Sequence, residues 1–282
     1  MSTHFESVKI LDNFYQASSF FPMPVVLVST FAESGQINLG PYSLCFPHVV
    51  TGSKRHGMML IVRAGSNTAN NIQRTGLCAI NFIPDKKKYM KNCVMLGYPG
   101  ETTEEKMKNS IFTLQPTDLE APPGKYRPDL VREAFQVFEC SWDRSFPLND
   151  TNESIEYHFL LRIDRILLYP KWKTCLEKGR GFPRMPIDYG FRDNIQFWFA
   201  GHARPYRVEI PASKGTPLMA VQYACTHYDP EIIWQEEACR KIVQVPKIFL
   251  KTVIAGVVKE ARSQGVTEIT PEFMDEVRAR RR

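Results

Sequence analysis

The chain has 282 residues, room for one large domain or two ordinary ones. Hydrophobic residues make up 43% and charged residues 23%, a globular balance with enough apolar surface for a real core. The formal net charge of +6 is modest and partly terminal, because Arg278, Arg280, Arg281 and Arg282 crowd the end, so it reads as a solvated helix end and not as a nucleic-acid arm.

His4, Glu6, Asp12 and Asn13 interrupt the first twenty residues, which therefore do not read as a secretory signal. No apolar run approaches the roughly 18 residues that a membrane helix needs. The 7 cysteines lack any Cys-x-x-Cys pair and read as reduced, mostly buried thiols of a cytoplasmic protein. The 6 histidines do not cluster with them, so no metal site is expected.

In chain order, residues 8–19 predict a short amphipathic helix. Val25 to Phe31 is a β-branched, apolar strand, Glu33-Ser34-Gly35-Gln36 supplies turn chemistry, and Ile37 to Tyr42 resumes as the second strand of a hairpin. That second strand carries Asn38, Gly40 and Pro41, poor strand formers that suit backbone lying against a flat, polar-edged ligand. Met58 to Val62 predicts a central strand. A helix follows, opened by Ser66, Asn67 and Thr68 and stopped by Gly76, and Leu77 to Phe82 is the next strand. The first turn of that helix presents unsatisfied backbone N–H groups, and Arg63 stands just upstream, so dipole, hydroxyl and cation together define a phosphate site.

Pro84 to Pro123 reads as an excursion from the sheet, with Lys86-Lys87-Lys88 on a solvated helix face and Tyr98-Pro99-Gly100 as a turn. Ala134 to Trp142 and Glu156 to Leu168 alternate as two long strands, and residues 194–210 supply a closing segment. From Asp229 the composition changes. Residues 230–243, 246–264 and 271–280 predict three helices, each with a proline at or near its start.

Three stretches together resemble the flavin reductase-like, FMN-binding split-barrel family. They are the Pro24-Val25 strand, the segment Asn38-Leu39-Gly40-Pro41-Tyr42-Ser43, and the helix bearing Thr68, Asn71, Ile72 and Gly76. Glu139-Cys140, His158, Gly201 and Tyr206 match later family positions, and the likeness spans roughly residues 20 to 210. It implies a Greek-key-like β-barrel with helices over residues 1–225, FMN as cofactor, NAD(P)H as a possible electron donor, and a homodimer. By the same resemblance Asn38, Pro41, Tyr42 and Ser43 line the flavin ring, while Arg63, Ser66, Thr68 and Asn71 hold the phosphate and ribityl chain. His158 is the candidate contact for a nicotinamide or a substrate. Ser66 stands where the family usually has lysine. Residues 45–57 lack the tandem prolines and carry Lys54, Arg55 and His56; His202 and Arg204 also depart from the pattern. Residues 226–282 resemble the small C-terminal three-helix domain of a light-independent protochlorophyllide reductase subunit, through Trp234, Ala238, Ile242 and Val245-Pro246 in particular. Its cluster-binding parts have no counterpart here.

Three functions follow as alternatives: an NAD(P)H-dependent flavin reductase or related FMN oxidoreductase, a tightly FMN-bound electron-transfer protein serving a redox partner, or a cofactor-free interaction module. No nucleic-acid or membrane partner is expected.

Overall fold

A computed structural model describes residues 4–50, 56–146, 148, 155–178, 180–191, 196–201, 203–206, 217–245 and 247–280. The chain divides into two compact units, Met1–Pro205 and Tyr206–Arg282.

The first unit opens with α1 (Phe14–Ala17), a single turn where the sequence predicts a longer helix over 8–19. Then come β1 (Met23–Pro24), β2 (Val26–Phe31), β3 (Ile37–Tyr42), β4 (Cys45–Val49), β5 (Gly57–Arg63), α2 (Asn67–Thr75) and β6 (Leu77–Phe82). The excursion holds α3 (Lys87–Gly97), α4 (Thr103–Lys108), β7 (Leu114–Gln115) and β8 (Leu130–Val131). The unit closes with β9 (Gln136–Trp142), β10 (Glu156–Leu168), α5 (Pro170–Lys178), β11 (Pro186–Phe191) and β12 (Phe197–Gly201).

Seven strands form one antiparallel sheet in the order β3-β2-β6-β9-β10-β5-β4. Its two borders, β3 and β4, are consecutive in the chain, joined only by Ser43 and Leu44. A flat sheet of seven strands would hold those borders roughly 29 Å apart. The link from Tyr42 to Cys45 spans at most about 11 Å, so the sheet must curl until its borders nearly meet. The result is a split barrel with an open seam between β3 and β4. Each border strand carries a proline, Pro41 and Pro47, which has no N–H to offer a further strand.

The hairpin β2–β3 pairs Val26 with Tyr42 through Phe31 with Ile37, and its turn closes with Gly35 at φ 86°. Strand β2 is buried on both faces, which is why its sequence is a continuous apolar run and not an alternating one. Val26 and Val28 join Leu60, Val62, Ile72, Ile80, Phe159 and Leu161 in one core. Leu27 belongs to a second core with Leu39, Ile83, Leu96, Val131 and Val137, capped by α3. A separate sheet, β1-β11-β12, lies beside the barrel.

The second unit contains α6 (Pro217–Tyr228), β13 (Ile233–Trp234), α7 (Glu236–Arg240), α8 (Lys247–Ser263), β14 (Glu268–Ile269) and α9 (Pro271–Ala279). Helix α6 straddles the 225/226 boundary read from the sequence, and its Val221 and Cys225 are buried in this core with Ile242, Ile254, Val257, Ile269 and Phe273. Four helices are thus described here against three predicted. The expected helix over 230–243 is shortened because Ile233 and Trp234 pair in parallel with Glu268 and Ile269. Thr270 caps α9 by accepting from the Phe273 N–H at 3.3 Å, with Pro271 in the first turn. Among the described residues no helix is long and apolar enough to cross a membrane.

Candidate functional site

A cleft of two adjoining halves lies along β3, beside the seam of the barrel. One half, a cavity of ≈ 550 Å³, is walled mainly by apolar side chains such as Val25, Leu44, Ile61, Val94, Phe197 and Phe199. The other half, ≈ 460 Å³, is polar and lies against the N-terminus of α2, with Ser66, Asn67, Thr68, Glu101 and Lys106 on its walls. Pro41, Tyr42, Arg63, Gly97 and Pro99 border both. Each volume falls within the range of small-molecule sites, about 300–1,000 Å³.

Gly40 sets how closely α2 approaches β3. A Cβ at this position would stand 2.7 Å from Thr68 Oγ1 and 2.8 Å from Tyr42 Cε2. Asn38, almost fully buried, ties the same layers together. Its Nδ2 donates to Thr68 Oγ1 at 3.2 Å and to Thr30 Oγ1 at 3.4 Å, and its Oδ1 accepts from Thr103 Oγ1 at 3.4 Å. The Tyr42 side chain lies against the first turn of α2, beside Thr68 and Ser66. Burial raises its phenol above the ordinary value, while those hydroxyls and the Arg63 charge pull the other way. Tyr42 is therefore the partition between the two halves.

The Ser66 hydroxyl caps α2 by accepting from the Ala69 N–H at 3.2 Å. The first intrahelical bond runs from the Asn70 N–H to Ser66 O, so the amides of Asn67 and Thr68 point out of the helix end. With the Ser66 and Thr68 hydroxyls engaged by protein partners, the anion-binding capacity of this half rests on those amides, the helix dipole, Arg63 and Lys106. Lys106, on α4, is lowered from its ordinary value chiefly by burial; Glu101 opposes that shift and Arg63 adds to it. Two cations beside a helix N-terminus make a donor set suited to a phosphate monoester.

Of the residues read from the sequence, Asn38, Pro41, Tyr42, Ser43, Arg63, Ser66 and Thr68 all border the cleft. Asn71 and His158 border neither half. Asn71 is buried beneath α2, where its Nδ2 donates to Thr30 Oγ1 at 3.1 Å. His158 sits opposite Ile61 on β10, its backbone N–H bonded to Leu148 O at 3.2 Å. His56 precedes β5, Arg204 is exposed, and Lys54, Arg55, His202, Pro246, Arg281 and Arg282 lie outside the described residues. The Glu139 carboxylate, buried on β9, is bound by Arg165 Nε and Thr117 Oγ1, each at 2.6 Å, and serves the sheet. Sequence reasoning missed Lys106, since a lysine on a short polar helix carries no local signal, and it missed the α1 corner with Asn13, Tyr15 and Gln16. Among the described residues no group of three or more His, Cys, Asp and Glu side chains is placed to hold a metal ion.

The curled seven-stranded sheet with its helices is the split-barrel fold seen in solved flavin reductases and flavoredoxins. No family model and no curated protein matches the chain. Among solved structures it is similar to 2-nitrobenzoate 2-nitroreductase of Pseudomonas fluorescens, at 16% identity over 76% of this chain and 98% of that one, with a TM-score of 0.56. It is similar to a flavoredoxin of Methanosarcina acetivorans at 18% identity over 74% and 98% of the two chains, TM-score 0.51. A Shewanella frigidimarina flavin reductase-type protein with a split barrel domain gives 13% identity over 67% and 87%, TM-score 0.50. At these identities the likeness is one of fold.

Proposed function

We propose that this chain is an FMN-binding oxidoreductase that passes electrons between NAD(P)H and an acceptor through its flavin. The observation that carries the reading is the divided cleft. One half joins outward-pointing helix amides to Arg63 and Lys106 and so suits the phosphate of FMN, while the other is an apolar slot suited to an isoalloxazine. The neighbouring solved proteins, a nitroreductase and a flavoredoxin among them, support the same class.

FMN, when bound, supplies the redox chemistry, accepting and giving up a hydride. The chain contributes position and surroundings. Arg63, Lys106 and the amides of Asn67 and Thr68 would hold the phosphate. Pro41, Tyr42, Ser43 and the buried Asn38 layer would fix the wall against which the ring lies. The apolar side chains of the other half exclude water. No side-chain acid or base is required for hydride transfer itself. We propose further that the protein is a cytoplasmic homodimer.

The test is a visible spectrum of the purified protein and an FMN titration, followed by anaerobic addition of NADH and of NADPH. The expected result is a flavin spectrum, or stoichiometric uptake of FMN, that one of the two nucleotides bleaches within a few turnovers. A colourless protein that takes up no FMN overturns the proposal. Uptake without bleaching reassigns the chain to an electron-transfer protein fed by a redox partner.

A further inference from the structure

The C-terminal half of α3 walls the cleft, and its opposite end carries positive charge without a partner. Lys86, Lys87, Lys88 and Lys91 are exposed, and no acidic residue stands in the first turn of α3. Among the described residues none of the four forms an ion pair. Lys87, Lys91 and Val94 follow at spacings of four and three along one helix face, and Val94 lines the cleft. The row therefore runs about 10 Å from the cleft wall to Lys87. Strand β12 makes the same connection. Phe199 lines the cleft, and two residues on, a Cβ at Gly201 would stand 2.5 Å from Asp85 Oδ2, next to Lys86. We propose that this lysine row binds the 2′-phosphate of NADPH and so selects NADPH over NADH as the electron donor. The inference rests on the flavoprotein reading and deepens it by naming the donor for that site.

A dinucleotide donor must bring its nicotinamide to the flavin ring, so its adenosine end lies outside the ring slot, along a wall that leads from it. Arg63 and Lys106 are committed to the phosphate of FMN, whereas the cations of α3 are spare. Lys91 is a helix neighbour of both Lys87 and Lys88, which lets three ammonium groups close on one phosphate. Lys86 and Lys88 each hold Nζ 5.2 Å from the ring centroid of the buried Tyr89, which gathers them at one place on the surface. Like charges at these spacings repel one another and weaken the helix, and a bound dianion turns that repulsion into attraction. Asp85 is the one acid between Pro84 and Lys91, and its carboxylate lies against β12 at Gly201. The exposed Arg184, whose carbonyl accepts from the Asp85 N–H at 3.1 Å, brings a further cation to offset it. A 2′-phosphate carries about two negative charges where NADH has a neutral hydroxyl, so the row acts on one donor and not on the other.

The probes are 2′,5′-ADP and 5′-AMP, whose binding to the full chain is measured by titration calorimetry, with FMN loaded and again without FMN. The wild type should bind 2′,5′-ADP at least tenfold more tightly than 5′-AMP. Lys91→Glu should weaken 2′,5′-ADP about tenfold and raise the KM for NADPH by a similar factor, while the KM for NADH moves less than twofold. Because Lys91 is exposed, the FMN affinity and melting temperature of the variant should stay those of the wild type. Lys125→Glu makes the same change of charge beside Gly76, at the other end of β6 from Asp85, and should bind 2′,5′-ADP as the wild type does. The inference is overturned if the two probes bind alike or if Lys125→Glu weakens 2′,5′-ADP as much as Lys91→Glu does. It is overturned too if Lys91→Glu handles NADPH as the wild type does, the outcome expected of a row that docks an acidic partner protein. FMN uptake without a preference for 2′,5′-ADP removes this inference and leaves the flavoprotein reading standing. A Lys91-dependent preference in a protein that takes up no FMN does the reverse.

Discussion

Replacing Gly40 with alanine is the most direct probe of the cleft. The added methyl would stand 2.7 Å from Thr68 Oγ1 and 2.8 Å from Tyr42 Cε2, where ordinary contact begins at 3.4 Å. Neither neighbour is a loose end. Thr68 Oγ1 is held by Asn38, and the Tyr42 side chain is held at the first turn of α2. Overpacking of this kind costs about 1–3 kcal/mol. In a unit of this size each kcal/mol is worth about 2–4 °C, so the first unit should melt about 2–12 °C lower. The strain is relieved by moving α2 away from β3, which also widens the polar half, so FMN affinity should fall about tenfold or more. The assay is thermal unfolding beside an FMN titration. Thr68→Ala supplies a second arm, because removing Oγ1 frees one of the two clashes and should make the alanine at 40 cheaper in that background. Gly40→Ala melting with the wild type and binding FMN equally would refute the argument that close approach of α2 shapes the site.

Arg63→Ala and Lys106→Ala should each weaken FMN about tenfold to a hundredfold, the cost of a charged hydrogen bond, and leave riboflavin, which lacks the phosphate, unchanged; parallel fluorescence titrations decide this. Asn38→Ala strips partners from Thr68 and Thr103 in a buried layer and should cost about 1–3 kcal/mol by denaturant unfolding. The Glu105 carboxylate caps α4 by accepting from the Thr102 N–H at 2.8 Å, and that bond holds it below its ordinary 4.5. A lowered acid stabilises the fold above its unfolded value and loses that contribution as the pH falls through the folded one. The melting gap between wild type and Glu105→Ala should thus be full at pH 7 and shrink as the pH falls below the ordinary 4.5 and through the lowered folded value; a gap independent of pH would contradict it. All seven cysteines are free and only Cys175 is not buried, so a thiol reagent should label one site rapidly in the native protein, and Cys175→Ser should abolish that phase.

Much of the barrel was legible because its signals are local. The β-branched run into Glu33-Ser34-Gly35 fixes a hairpin, and Ser66 with Gly76 marks both ends of α2 within one residue. Residues 77–82 and 156–168 alternate or run apolar as buried strands must. The site was legible where one stretch of backbone supplies it, from Asn38 to Ser43 and from Arg63 to Thr68. Its remaining walls come from chain that is distant in sequence. Lys106 reaches the polar half from a six-residue helix whose capping box predicts a helix but not what it faces. Asp188 reaches the apolar half because β11 pairs with the two-residue strand β1, too short to announce itself. Thr68 and Asn71 show the converse. Their polar side chains look available in a helix pattern, yet one accepts from Asn38 and the other turns to Thr30.

The prolines at Pro41 and Pro47 have a consequence for how molecules of this protein meet one another. A barrel left open along one side offers two ribbons of backbone on which a neighbouring molecule could continue the hydrogen-bond ladder. Withholding an amide from each ribbon spoils that template, and the two-residue tie keeps the ribbons too close together for a stranger to enter. Loosening the tie with a glycine insertion, or restoring an amide with valine at 47, should turn a well-behaved solution into one that assembles β-rich aggregates, with the folded core of each molecule still intact.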